Sequence, residues 1–176
     1  PMLFQRPNEL RGMAWDEVDL EAALWSIAPA RMKRSVSGKT NGAAHLVPLP
    51  RQAVELLRDI KPLTGHTPLV FPGERASNRP ISDNTLRAAL QTLGYSSQVQ
   101  TIHGFRATAR TILAERLEFD PLLIEAQLAH SVKDANGRAY NRTSYVEQRR
   151  VMMQTWADYL DKLRMGAQVI PLVKAA

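Results

Sequence analysis

From residue 101 onward the apolar side chains return at helical intervals, and the gaps between the runs carry helix caps. Phe105, Ala109, Ile112 and Leu113 make one face of a helix over residues 101–116. Asp120 and Pro121 read as N-cap and first position of a second helix, DPLLIEAQLAH, which ends on His130. After a polar, Gly-containing loop at 132–137, VEQRRVMMQTWADYLDKL carries Met153, Trp156, Leu160 and Leu163 as a core-packing stripe. Ser144 and Glu147 fit the S-x-x-E box that would open this helix, with Tyr145 in its first position. A chain that commits its second half to three capped helices is predominantly α.

The first half adds a small sheet. Residues 1–15 place Leu3, Leu10, Met13 and Ala14 at helical spacing, with Arg6 and Glu9 on the polar face. Residues 18–27 and 44–49 alternate as short strands, and ARMKRSVSGKTNG between them has the composition of a mobile turn. Residues 50–60 form an amphipathic helix with Ala53, Val54, Leu56, Leu57 and Ile60 inward, ended by Pro62 and Gly65. VFPGERASNRP reads as a loop. Ser82 caps a further helix, DNTLRAALQTL, which Gly94 stops. The predicted fold is mainly α with a small antiparallel β-sheet, in one domain over residues 1–176. The start at PMLFQRP reads as the inside of an element, and the short apolar tail from residue 166 as either loose disorder or an exposed surface for a partner subunit.

Composition narrows the partners. Lys and Arg number 23 against 17 Asp and Glu, a net charge of +6. That balance permits nucleic acid without proving it. There is no cysteine, so no disulfide framework and no thiolate metal site. No apolar run reaches the ~18 residues of a membrane span, and nothing reads as a signal peptide.

The chemistry-bearing residues gather in residues 101–150. His103 and Arg106 stand three apart in HGFR, on one helix face. His130 closes the next apolar run, and Tyr140 follows ten residues on, in AYNR. Arginine forks fit two phosphate oxygens, histidine donates or shuttles protons, and a phenol can act as nucleophile. Singly, each has a plainer reading: a structural HxxR pair, a histidine cap, an Arg6–Glu9 surface pair. Arg110 reads as either a salt-bridge residue or a phosphate contact. His66, alone in a Gly/Thr/Pro loop, has no partner in the pattern.

Taken in order, these words resemble the tyrosine recombinases, the phage-type site-specific integrases, and within them the P4-like integrases of genomic islands. The resemblance rests on RPNELRGMAWDEVDL, ARMK, HLVPL, VFP, HGFRATARTIL, IEAQLAH and AYNR, and it covers nearly the whole chain. It implies the DNA breaking-rejoining catalytic fold, with the beginning of the domain cut off. It implies a site of Arg6, held by Glu9, with Lys33, His103, Arg106, His130 and Tyr140. In the family a hairpin lysine protonates the leaving hydroxyl. Lys33 fits that word, and Lys39 competes. The family's spacing from second histidine to nucleophile favours Tyr140 over Tyr145. The resemblance further implies site-specific recombination or integration of a mobile element through a 3′-phosphotyrosine intermediate, with no ATP, metal or other cofactor. Its partners would be double-stranded DNA at attachment sites, a homotetramer on DNA (or a monomer for this chain alone) and accessory DNA-bending proteins, in the cytoplasm at the bacterial nucleoid. The helix that carries Arg87 could lie on that DNA. The rivals are a type IB topoisomerase, a non-catalytic DNA-binding module and a histidine-dependent nuclease.

Overall fold

A computed structural model describes residues 1–33, 35–130 and 145–166. Tyr140, the loop at 132–137, Ser144 and the tail beyond 166 lie outside the described residues. The first helix is far shorter than expected: α1 spans Pro7–Arg11. A residue before proline is pushed out of the α region, and Arg6 sits at φ −62°, ψ 142°. Residues 1–6 therefore lead in without a helix, and Phe4 enters the core. Glu9, expected on a polar face, is buried.

The expected strand at 18–27 is two strands. β1 (Val18–Asp19) and β2 (Leu24–Ile27) flank a turn in which Asp19 Oδ1 accepts from the Glu21 and Ala22 amides. β3 (His45–Pro48) completes an antiparallel sheet in the order β1-β2-β3, with Trp25 opposite Val47 and Ile27 opposite His45. The segment between β2 and β3 is more than a turn. It holds a 3₁₀ turn (Pro29–Arg31) and a helix, α2 (Val36–Asn41), capped by the Ser35 hydroxyl.

α3 runs Arg51–Thr64, past the proline expected to stop it, and ends where Gly65 donates to the Lys61 carbonyl. Its buried face is Gln52, Ala53, Val54 and Leu57. Leu56, expected inside, is 54% exposed. Gln52, one turn earlier, takes the contact with the last helix instead, donating to Asp158 Oδ1 and Asp161 Oδ2. The expected loop at 70–80 contains a hairpin, β4 (Pro72–Gly73) with β5 (Ala76–Pro80).

α4 (Asp83–Thr92) starts on the Ser82 hydroxyl as the sequence predicts, and Gly94 ends it at φ +87°. None of its residues is buried. α5 (Gly104–Glu115), α6 (Pro121–Gln127) and α7 (Val146–Arg164) are the three predicted helices. Asp120 Oδ1 caps α6 through the Leu122 amide, with Pro121 in first place. α7 differs at both ends. Tyr145 is its N-cap, at φ +46°, and Leu163 faces solvent.

Two apolar clusters result. Met13, Trp25, Ile27, Val47 and Leu57 anchor the one between the sheet and α3. Phe4, Ala109, Leu113, Ile124, Met152, Met153 and Trp156 make the one among α5, α6 and α7. Phe105, expected on the inner face of α5, is only half-buried, and Arg106 is buried there with Ala109 and Leu113. Burying several aromatic and aliphatic side chains in each cluster stabilises it by about 1.5–3 kcal/mol per side chain. Between the clusters runs a polar seam: Gln5 donates to the Gln127 carbonyl, and buried Arg149 donates twice to Gln127 Oε1 and once to the Leu46 carbonyl. That seam joins β3, the end of α6 and the start of α7.

Candidate active site

The site begins with a charge that cannot leave the core. Arg106, at 5% exposure, sits in the first turn of α5 with its guanidinium against two backbone carbonyls. Nη1 donates to Phe4 O at 2.8 Å and Nη2 to Leu128 O at 2.9 Å. Both acceptors are distant in sequence, so Arg106 ties the chain's first residues to the end of α6. Burial, reinforced by the nearby Arg6 cation, lowers its pKa to about 10, so it stays charged at neutral pH. Two guanidiniums close enough to oppose each other's charge form a place where an anion relieves the repulsion.

Arg6 is held differently. Its Nη1 lies 3.0 Å from Glu9 Oε1, and its own amide donates to Glu9 Oε2 at 3.1 Å. Glu9 therefore caps α1 and aims Arg6 with one carboxylate. Glu9 is in turn fixed through its backbone, because Arg31 Nη2 donates to its carbonyl at 2.7 Å. Arg31 also pairs with Glu17, which accepts from the Trp25 indole. Sequence reading missed Arg31. Its neighbour Met32 is buried and the next residue, Lys33, is exposed, so the 3₁₀ turn delivers the lysine from a fixed base.

His103 is the N-cap of α5, where the Thr101 hydroxyl accepts from the Gly104 amide. Expected to share a helix face with Arg106, it lies at the helix entrance instead. His130 stands beyond α6, where the chain reverses through Ala129 at φ +51° and the His130 amide returns to the Glu125 carbonyl. Its ring bridges two groups: Nδ1 is 2.6 Å from Glu125 Oε2, and Nε2 is 3.4 Å from Arg106 Nη2. Arg110 is a salt-bridge residue, with Nε 2.7 Å from Glu125 Oε1.

Arg6, Lys33, His103, Arg106 and His130 thus line one concavity of roughly 620 Å³. A second concavity of roughly 610 Å³ adjoins it, sharing Arg6, Lys33 and His103 and walled by α4 through Asn84, Arg87 and Gln91. Lys33 lines both; Lys39 lines only the second. Tyr145 lines neither. Chemically, four cations (Arg6, Lys33, Arg106 and the Glu125-paired Arg110) and two imidazoles around one hollow suit a negatively charged ligand whose oxygens are approached from several sides.

No helix among the described residues is long and apolar enough to cross a membrane. The fold resembles that of the crystal structure of XerA recombinase, with a TM-score of 0.54 at 15% identity over 96% of this chain and 54% of that one. In sequence the chain is 39% identical to the integrase of Enterobacteria phage P4 over 93% of its length. It is 41% identical to the prophage integrase IntA of Escherichia coli (strain K12) over 96%. It is 38% identical to the putative protein IntB of the same organism over 91%. It spans only 39%, 39% and 42% of those proteins respectively. The profile of the Phage integrase family matches residues 4–147, and with these relatives it shows that the chain belongs to the phage integrase family of tyrosine recombinases.

Proposed function

We propose that this chain carries the cleavage centre of a site-specific recombinase, which breaks and rejoins double-stranded DNA through a covalent 3′-phosphotyrosine intermediate. The observation that carries the reading is the convergence of Arg6, Lys33, His103, Arg106 and His130 on one hollow from four separate parts of the chain. A phosphodiester resists attack because it is negative, and cations on its non-bridging oxygens help most as charge builds in the transition state. Arg6 and Arg106 fill that role, with His130 as a further donor. Tyr140 attacks phosphorus with its phenolic oxygen, whose ordinary pKa of about 10 requires the proton to leave during attack. His103 takes that proton. The bond from phosphorus to the 5′ oxygen breaks, and Lys33 protonates the departing oxygen. The phosphotyrosine keeps the energy of the broken ester, so a 5′ hydroxyl reverses the step without ATP.

The relatives are more than twice as long as this chain. DNA binding by the chain alone is therefore expected to be weak and steeply salt-dependent. Its DNA is an attachment site, and assembly on it is as a homotetramer. The test is a nicked suicide substrate carrying the attachment site, run on a denaturing gel with the Tyr140→Phe variant alongside. A covalent protein–DNA band that disappears in the variant supports the reading. A protein that binds this DNA and yields no band is a binding module, and the reading fails. Strands cut without an adduct would make it a nuclease.

A further inference from the structure

One half-buried carboxylate has no part in the chemistry above yet touches it directly. Glu125 lies on α6 with its side chain 19% exposed, and both oxygens are spoken for. Oε1 meets Arg110 Nε at 2.7 Å and Oε2 meets His130 Nδ1 at 2.6 Å. Its backbone carbonyl also accepts from the His130 amide at 3.0 Å. One residue thus holds His130 at both main chain and ring.

The partners decide where the ring proton sits. The Glu125 carboxylate can only accept, so at 2.6 Å it sets the proton on Nδ1. Nε2 is then left as the acceptor of the longer and weaker contact from Arg106 Nη2, at 3.4 Å. Burial pushes the Glu125 carboxyl up, and the bonds from Arg110 and His130 more than offset it, leaving it below its ordinary value. It is therefore an anion across the neutral range. Arg6, Lys33, His103, Arg106 and Arg110 are the other titratable or charged groups around the hollow, and Nδ1 meets Glu125 rather than any of them.

We infer that Glu125 is a positioning residue, which fixes His130 as its Nδ1–H tautomer and presents Nε2 to the reacting phosphate, with Arg110 holding the far carboxylate oxygen. The aim at phosphate rests on the recombinase reading; the tautomer does not. When phosphate displaces the Arg106 contact, Nε2 takes a proton from solvent and donates, while Glu125 keeps Nδ1–H throughout. Only one ring nitrogen then changes state during the reaction. A plain surface ion pair would do none of this.

Long-range proton–nitrogen spectra of histidine-labelled protein, taken above neutral pH without DNA, read the tautomer directly. Wild type is expected to show a protonated Nδ1, and Glu125→Ala to shift His130 toward the Nε2–H form that free imidazole side chains favour. Glu125→Gln keeps an amide oxygen for Nδ1–H and retains the wild-type tautomer. In the suicide-substrate assay Glu125→Ala slows adduct formation by about 10–100-fold with DNA affinity unchanged, as loss of a supporting partner does elsewhere. Glu125→Gln restores most of that rate. The same tautomer in Glu125→Ala as in wild type overturns the inference, as does an adduct rate that does not move. A tautomer shift in proteins that form no adduct, wild type included, overturns the recombinase reading and leaves the coupling of Glu125 to His130 standing.

Discussion

Arg106 has a second task besides charge, and Arg106→Lys separates the two. In the structure its fork spans two carbonyls that belong to different parts of the chain, Phe4 O at 2.8 Å and Leu128 O at 2.9 Å. Lysine keeps the charge but presents a compact ammonium at the end of a flexible stem. It can satisfy one of those acceptors and leaves the other buried without its donor. An ammonium is also more strongly hydrated than a guanidinium, and burial already lowers Arg106 to about 10. A charged hydrogen bond to a buried acceptor is worth about 1.5–3 kcal/mol. For a domain of this size each kcal/mol moves the melting temperature by about 2–4 °C. Arg106→Lys should therefore lower Tm by about 3–12 °C and shift the urea midpoint down with an unchanged slope. Arg106→Ala leaves both carbonyls buried without a donor, at about 1–3 kcal/mol each, and should lose about 2–6 kcal/mol. An Arg106→Lys unfolding curve that superimposes on wild type would refute the carbonyl clamp and reduce Arg106 to a phosphate ligand.

Other expectations follow from the same geometry. Glu9→Gln exchanges one of two acceptors for a donor that faces the Arg6 amide or fork, and should cost about 1–2 kcal/mol in urea denaturation while weakening DNA binding. Glu125 has a lowered carboxyl pKa in the folded state, so its contribution is present above the unfolded value and is lost as pH falls through the folded one. The stability gap between wild type and Glu125→Gln should accordingly be present at neutral pH and narrow as the solution is taken into acid, which urea midpoints measured down the pH scale would follow. Lys33→Ala should slow adduct formation by about 10²–10⁴-fold, the usual worth of a positioned acid, and Lys39→Ala should not. The reverse order would move the acid to Lys39.

Much of this was legible in the sequence wherever the signal was local. The Ser82 and Asp120 caps, Pro121 at a first helical position and Gly94 after a last one are written in single residues, and the structure has them all. What local pattern could not carry was tertiary. Leu56 matches the apolar stripe of α3, but Gln52 wins the place against α7 through two carboxylates more than a hundred residues away. The long helix expected over residues 1–15 is cut by Pro7, a break that was there to read. The site divides the same way. Arg6, His103, Arg106 and His130 stand out as residue types at suggestive spacing, and the fold brings them round one hollow with Lys33. Their supports do not stand out. Arg31, Glu125 and the Arg149–Gln127 contact look like ordinary surface or helix residues until chain reversal brings their partners near. The one available hint was the Glu and His five apart in IEAQLAH, a spacing that only the turn at Ala129 makes useful.

The central claim is that this hollow attacks a phosphodiester with Tyr140, and the most direct measurement is of the bond itself. The covalent adduct from the suicide substrate is digested with nuclease and protease, and the peptide that retains a nucleotide is sequenced by mass spectrometry. The account predicts a 3′-phosphonucleotide on Tyr140. The same mark on Tyr145, or on any histidine of the hollow, would contradict it.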